Sequence, residues 1–359
     1  MNKKICCIIL DVFLCCVMVA LLVIGFLNVN AMRRYSPVSV RYNEPISGQD
    51  AYQLRRFSIE QGRIGQSGIE YSGVDQGGIV QGDANVFWPT FWHEKQAKIE
   101  SDLRTIFAPC IVFSGDSVLV WQANYINGAA PGVTDGVGCA VSSALAFELW
   151  GGNDVVGKPI NVDGEERVVR GVFESELLLA LLSVRDEDTS RSFTAIELSG
   201  NSSSTTRSDV QDFIRSAGLD APDIILIDRP AHLAFFLFLL PLMVFTIYAV
   251  VRFIIRLKKR PVLIYVIVFL VLLGFAFLLP ALLALLPSWM IPSRFSDFSF
   301  WGGMISQLGE DLTEYLRLTP RLRDVAFMIL FYKQIGITFV SVILAVILCF
   351  RHYQAFGLP

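Results

Sequence analysis

Four long apolar stretches, set out as one and then three, constrain this chain more than any other feature. The first occupies residues 5–27, and the others, 231–251, 262–286 and 325–350, all follow Pro230. A helix of ~20 apolar residues satisfies its own backbone and reaches across a hydrocarbon core of roughly 30 Å. The layout therefore predicts an α-helical membrane protein with four transmembrane helices, over residues 1–28, 231–252, 261–286 and 325–351. A water-facing α+β domain, residues 29–230, is inserted after the first, and an aromatic-rich loop, 287–324, precedes the last. With 53% hydrophobic and only 18% charged residues, the chain lies outside the range of soluble proteins. A net charge of −3 without a basic stripe beyond the membrane flanks excludes a nucleic-acid partner as the expectation.

The first stretch starts with Lys3 and Lys4, runs longer than a signal-peptide core and lacks a clean small-x-small site, so it reads as a retained span. Its Cys6, Cys7, Cys15 and Cys16, with Cys349 in the last span, read as small apolar residues; acylation of Cys6 and Cys7 is the alternative. The short link RFIIRLKKR, residues 252–260, is densely basic, which assigns it to the cytoplasm. Both termini are then cytoplasmic and residues 29–230 and 287–324 extracytoplasmic. Arg33, Arg34, Arg317, Arg321 and Arg323 lie on the outer side and count against this orientation, diluted by acids and length.

Within the inserted domain, residues 38–81 read as short strand ends and turns, residues 92–107 as a helix and residues 117–122 as a strand. Further strands are expected at 111–113, 139–141 and 224–227, and helices at 142–150 and 209–218. Asp163-Gly164, inside residues 160–173, is the strongest hairpin signal in the chain. Residues 178–184 are apolar but too short to span. Strands and helices alternate without a βαβ rhythm.

The segment CAVSSALAFELWGGNDVVGKPI, residues 139–160, followed by the hairpin ending VRGVF, residues 169–173, resembles the extracytoplasmic core domain of MacB/FtsX-type ABC transporter permeases. That resemblance is specific over residues 115–174 and extends to the one-plus-three span layout. It implies a non-enzymatic membrane subunit that transmits motion between a separate cytoplasmic ABC ATPase and the outer domain, for export or activation of a partner. It also implies pairing with a second permease subunit, the same or different. Arg256, Lys258, Lys259 and Arg260 would be the cytoplasmic contact, although the same charges serve to set topology. The chain departs from the family in two places. Only Met1–Lys4 precedes the first span where a coupling helix is expected, and the second link is a bare basic turn. A membrane-anchored sensing or interaction protein with the fold but without ATPase coupling is therefore a second reading.

Other candidates for chemistry are sparse. Gly152 to Lys158 has the spacing of a phosphate-binding P-loop, but Pro159 stands where a hydroxyl should hold Mg²⁺, and a helix precedes where a strand is required. His93, His232 and His352 are too dispersed for a metal site, so neither metal nor cofactor is expected. Asp186-Glu187-Asp188 reads as a solvated loop and Ser202-Ser203-Ser204 as a linker. Cys110 and Cys139 are the domain's two thiols, open to a disulfide outside the cell or to remaining as buried free thiols. Asp11 and Lys333 are ionisable residues inside span-forming stretches, read either as a polar seam or as interfacial ends, and placed too far apart to pair.

Overall fold

In the computed structural model, residues 3–35, 38–67, 87–200, 205–227, 229–257, 273–274, 290, 294 and 298–355 are described. The helices are α1 (Lys3–Met32), α2 (Gly48–Ser67), α3 (Ser117–Val120), α4 (Ser143–Trp150), α5 (Arg207–Ser216), α6 (Arg229–Leu257), α7 (Phe298–Arg317) and α8 (Leu322–Ala355). The strands are β1 (Val38–Ser47), β2 (Phe87–Glu100), β3 (Thr105–Ser114), β4 (Tyr125–Gly128), β5 (Gly138–Ser142), β6 (Pro159–Val162), β7 (Glu165–Phe173), β8 (Ala180–Ser183), β9 (Ser192–Gly200) and β10 (Ile224–Ile227). The chain divides into a sheet unit, Arg34–Asp228 with Glu314–Arg323, and a helical unit, Met1–Arg33, Arg229–Thr313 and Asp324–Pro359.

The sheet runs β10-β1-β9-β2-β3-β8-β5-β7-β4, with β6 pairing β2 and β7. Among the described strands only β3–β8 and β5–β7 are parallel. Its two faces are sorted by the strand period of two. Val38, Val40, Phe91, Val112, Val141 and Leu182 face one side, where Leu54 of α2, Leu145 of α4 and Phe213 of α5 join them in the main core. The alternate residues Trp92, Ile111, Phe113, Ala140, Leu181 and Ala195 form a smaller cluster on the opposite side with Val120 of α3. Both faces are therefore covered.

Local chemistry explains the elements the sequence made legible. Ser142 caps α4 through the Leu145 amide, and Gly151 ends it in the left-handed region at φ 79°. Asp163 (φ 51°) and Gly164 (φ 91°) make the tight β6–β7 turn. Lys95 Nζ, 2.7 Å from the Asp163 carboxylate, ties that turn to β2 and holds the carboxyl below the usual range. Asp209 and Thr206 form a reciprocal capping box at the start of α5.

Three expected elements are corrected. Residues 92–107 are not a helix but the ends of β2 and β3, turning at 101–104, where Ser101 Oγ accepts from the Leu103 and Arg104 amides. Ile99, Leu103 and Ile106 match a helical period, yet ten register pairs from Phe91↔Ser114 to Glu100↔Thr105 win over local propensity. Residues 117–122 hold the one-turn α3, capped by Asp116, rather than a strand. Residues 48–67 form α2, where turns were expected up to residue 81; Ser47 and Asp50 cap it reciprocally. Residues 68–86, including the expected strand end at 77–80, lie outside the described residues, as do Ser202, Ser203 and Ser204.

Among the described residues, three helices are long and apolar enough to cross a membrane: Ile9–Met32, Arg229–Phe253 and Leu322–His352. The expected span over 261–286 lies outside the described residues apart from 273–274. Residues 287–324 are not simply a loop, since they contain the 20-residue α7. Pro241 sits inside α6, removing one backbone donor from it. A polar seam joins α1 to α8: Asn28 Nδ2 donates to the Leu330 carbonyl at 2.8 Å and to Gln334 Oε1 at 3.1 Å. Gln334, Thr338 and Ser341 are all buried along one stripe of α8. Side-chain amides of this kind hold apolar helices together where lipid offers no hydrophobic contrast.

Candidate functional site

The sheet face opposite the main core carries charge where strand alternation places it inward. Glu197 on β9 has no solvent exposure and sits in register between Ser39 of β1 and Thr90 of β2. One residue pair along, Ala195 lies between Arg41 and Trp92, which brings those two side chains diagonally onto the carboxylate. Glu197 Oε1 accepts from Ser39 Oγ at 2.7 Å, Arg41 Nη1 at 2.9 Å and Trp92 Nε1 at 2.9 Å. The Arg41 guanidinium stands 4.9 Å from the Trp92 ring centroid.

The fourth partner comes from far along the chain. Glu197 Oε2 lies 3.0 Å from Arg323 Nη2, an ion-pair contact off the hydrogen-bond axis, and both side chains are buried. Arg323 Nε also donates to the Leu119 carbonyl at 3.0 Å, and its guanidinium lies 5.3 Å from the Tyr35 ring centroid. The amide of Leu322, the first residue of α8, donates to Glu94 Oε1 at 2.7 Å. A helix N-terminus has unpaired amides and a partial positive charge, so the carboxylate satisfies both. Arg321 places its guanidinium 5.3 Å from the other partner of the cluster, the Trp92 ring. Leu322 packs on the cluster of Trp92, Phe113 and Ala195. Upstream, Glu314 holds Arg207 of α5 through two oxygens, one at 2.6 Å. Residues 314–323 are thus clasped on the sheet by ion pairs, an aromatic platform and a capped helix end.

The arrangement is a network of ion pairs and hydrogen bonds on one sheet face. It has no nucleophile–base pair, and among the described residues no group of three or more His, Cys, Asp or Glu could hold a metal ion. Two carboxylates, three guanidinium groups and an indole hold residues 321–323 against the sheet, with Glu197, Arg41, Arg323 and Trp92 buried. Nearby, burial and the charges of Lys95, Arg191 and Arg321 push the His93 imidazole down to about 4. Below about pH 6.5 the unfolded chain takes up a proton there that the folded chain refuses until about pH 4. The unfolded state binds more protons across that window, so stability falls as pH drops through it. The loss expected is on the order of 2–3 kcal/mol. Denaturant titrations at pH 7 and pH 4.5 should show it, and His93→Gln should flatten this part of the profile.

The residues singled out from sequence fall elsewhere. Cys110 and Cys139 are both free and buried, and burial pushes each thiol up to about 12. Of the two readings left open, the structure has the free thiols: β8 lies between β3 and β5, so the two cysteines are two strand spacings, roughly 10 Å, apart. A bridge needs Cα atoms within about 7 Å. Asp11 Oδ1 lies 2.7 Å from Arg351 Nε, joining α1 to the far end of α8. Lys333 is exposed, and the buried polar position beside it is Gln334. Arg256 is on α6, while Lys258, Lys259 and Arg260 lie outside the described residues. His352 contacts Tyr248 at 3.0 Å and Arg252. The 186–188 run is not merely solvated, because Asp186 accepts from Ser114 Oγ at 2.7 Å and pairs with Arg55. Gly157 and Pro159 lie in the turn and strand leading into the hairpin, with no helix after them, as the P-loop exclusion requires.

Glu197, Arg41 and Arg323 escaped the sequence reading. In VSVRY (38–42) and AIEL (195–198) the charged residue alternates with apolar ones, the pattern of a strand with one wet face. Coverage of that face by α3 and by residues 314–323 makes it dry.

No family model and no characterised protein matches the sequence. Among solved structures, the periplasmic region of MacB from Actinobacillus actinomycetemcomitans is 9% identical, with a TM-score of 0.37 over 55% of this chain and 92% of that one. The extracellular domain of the noncanonic ABC-type transporter YknZ from Gram-positive bacteria is 11% identical, with a TM-score of 0.37 over 54% and 98%. A domain of a putative permease protein from Porphyromonas gingivalis is 17% identical, with a TM-score of 0.28 over 36% and 61%.

Proposed function

We propose that the chain is a permease-like membrane subunit of the MacB/FtsX type, passing movement between a separate cytoplasmic ATPase and the extracytoplasmic sheet unit. The observation that carries this reading is the clasp on the first turn of α8. Leu322 and Arg323, which open that helix, contact Glu94 and Glu197, and Arg321 just before them lies over Trp92; in this reading movement of the candidate span reaches the sheet unit along the chain at this point. A flexible tether would lose such a displacement, whereas a desolvated ion cluster transmits it. Arg256 and the basic residues at 258–260 are the proposed contact with the ATPase, on the cytoplasmic side assigned by charge density.

Purification of the full chain from native membranes in gentle detergent tests the reading. A nucleotide-binding subunit should accompany it in stoichiometric amount. Arg323→Ala should leave that subunit bound and change its hydrolysis rate by about five-fold or more, the lower end of ordinary coupling free energies. If no ATP-binding subunit is recovered, the coupled reading fails and a sensing or interaction protein of the same architecture takes its place.

A further inference from the structure

Helix α7 has an apolar flank that the described residues leave exposed. Met304, Leu308, Asp311 and Tyr315, spaced at four, three and four residues, lie on its covered side, and all are half-buried or buried. The adjoining stripe carries Trp301, Ile305, Leu312 and Leu316. Ile305 is 66% and Leu316 72% exposed, too open for core positions. The opposite side is polar or small: Gly303, Ser306, Glu310 and Thr313. Exposed apolar stripes of this length on a 20-residue helix are uncommon unless something apolar meets them.

The level of the helix identifies what meets it. Arg229 is the first residue of the candidate span Arg229–Phe253, and its Nη1 lies 2.6 Å from Asp311 Oδ2 in the middle of α7, both side chains buried. The same helix is followed after four residues by Leu322, where the candidate span Leu322–His352 begins. A helix bonded to the start of one span and leading into another sits where hydrocarbon gives way to headgroups. There an amphipathic helix immerses its apolar side by several ångströms, and tryptophan is favoured because its ring is apolar and its N–H polar.

We infer that α7 lies in the membrane interface, with the Trp301–Ile305–Leu312–Leu316 stripe immersed at the headgroup–acyl boundary of a phospholipid monolayer. The stripe carries no basic residue, so its attraction to lipid is apolar rather than charge-driven. Binding therefore holds in vesicles of zwitterionic lipid as well as anionic lipid.

The test is photo-crosslinking of the full chain reconstituted in vesicles of phosphatidylcholine, with and without phosphatidylglycerol. Benzoylphenylalanine is placed singly at 305, 316, 306 or 310, all exposed sites. Phospholipid adducts, seen by mass, should form at 305 and 316 at least about five times more than at 306 and 310, and to a similar extent in both vesicle types. That ratio corresponds to about 1 kcal/mol of partitioning preference, well within what a few buried methylenes provide. A chain-to-chain adduct at 305 and 316 would show a second copy covering the stripe, and equal adduct at all four sites would show no oriented immersion; either overturns the inference. As a check free of inserted side chains, phospholipids brominated near the top of the acyl chain should quench the wild-type fluorescence more than that of Trp301→Phe. No difference between the two would also overturn it.

Discussion

Replacing Glu197 with alanine is expected to destabilise the sheet unit by about 3–5 kcal/mol, the range for removing one partner from a buried ion pair. The carboxylate is the shared acceptor of Ser39, Arg41 and Trp92 and the counter-charge of Arg323. Its loss leaves two buried guanidinium groups and an indole N–H without that acceptor. For a unit of this size the thermal midpoint in detergent should fall by roughly 10 °C or more, from about 2–4 °C per kcal/mol. Glu197→Gln should behave almost as badly, since it keeps the shape and removes the charge. Arg323→Ala should cost less, because Arg41 remains to neutralise Glu197. A Glu197→Ala midpoint within a degree or two of wild type would mean that the cluster is wet, and the coupling role would fall with it. The Glu197–Arg323 double-mutant cycle should show non-additivity of 0.5–3 kcal/mol, in the range of residues sharing one network.

Asp311→Ala in the helical unit is expected to have the second largest effect. It strands Arg229, only 8% exposed, at the first residue of a candidate span. A guanidinium that loses this carboxylate must recruit water or rotate away, and about 3–5 kcal/mol is again the relevant scale. Because helical membrane units seldom unfold reversibly, the readout is the temperature of half-aggregation in detergent rather than an equilibrium value. The double variant Arg229→Met with Asp311→Leu should recover most of the loss, since apolar replacement of both partners removes the unpaired charge. No recovery would mean that the pair does more than neutralise itself.

Two buried ion pairs thus hold α7 and the start of α8, and neither was visible from spacing. Asp311 and Arg229 are 82 residues apart, and Glu197 and Arg323 stand on opposite sides of the expected spans. Charge pairing across such separations has no local signature. The misread helix at 92–107 has a related cause. Its Glu, Lys, Gln and Ala residues favour a helix locally, while the pairing of β2 with β3 and β9 is a property of distant strands. Conversely, α4, the Asp163-Gly164 hairpin and α5 were legible because their caps and turn residues are adjacent in the chain. The overlooked α2 had such a signal in Ser47 and Asp50, outweighed in reading by the glycines that follow at 62 and 65.

Sequence alone set out four stretches, 5–27, 231–251, 262–286 and 325–350, long and apolar enough to cross a bilayer, with an α+β domain between the first and second; among the described residues the structure has three such helices, Ile9–Met32, Arg229–Phe253 and Leu322–His352. Those properties follow from local composition, which acts over a turn or a strand. Tertiary structure decided which charged residues are dry. Glu197 and Arg41 would face water on a sheet covered on one side, and become a buried cluster because α3 and residues 314–323 cover the other. Burial is the sum of everything that packs around a group. It is also what turns an ordinary alternating strand into the floor of a buried ion cluster.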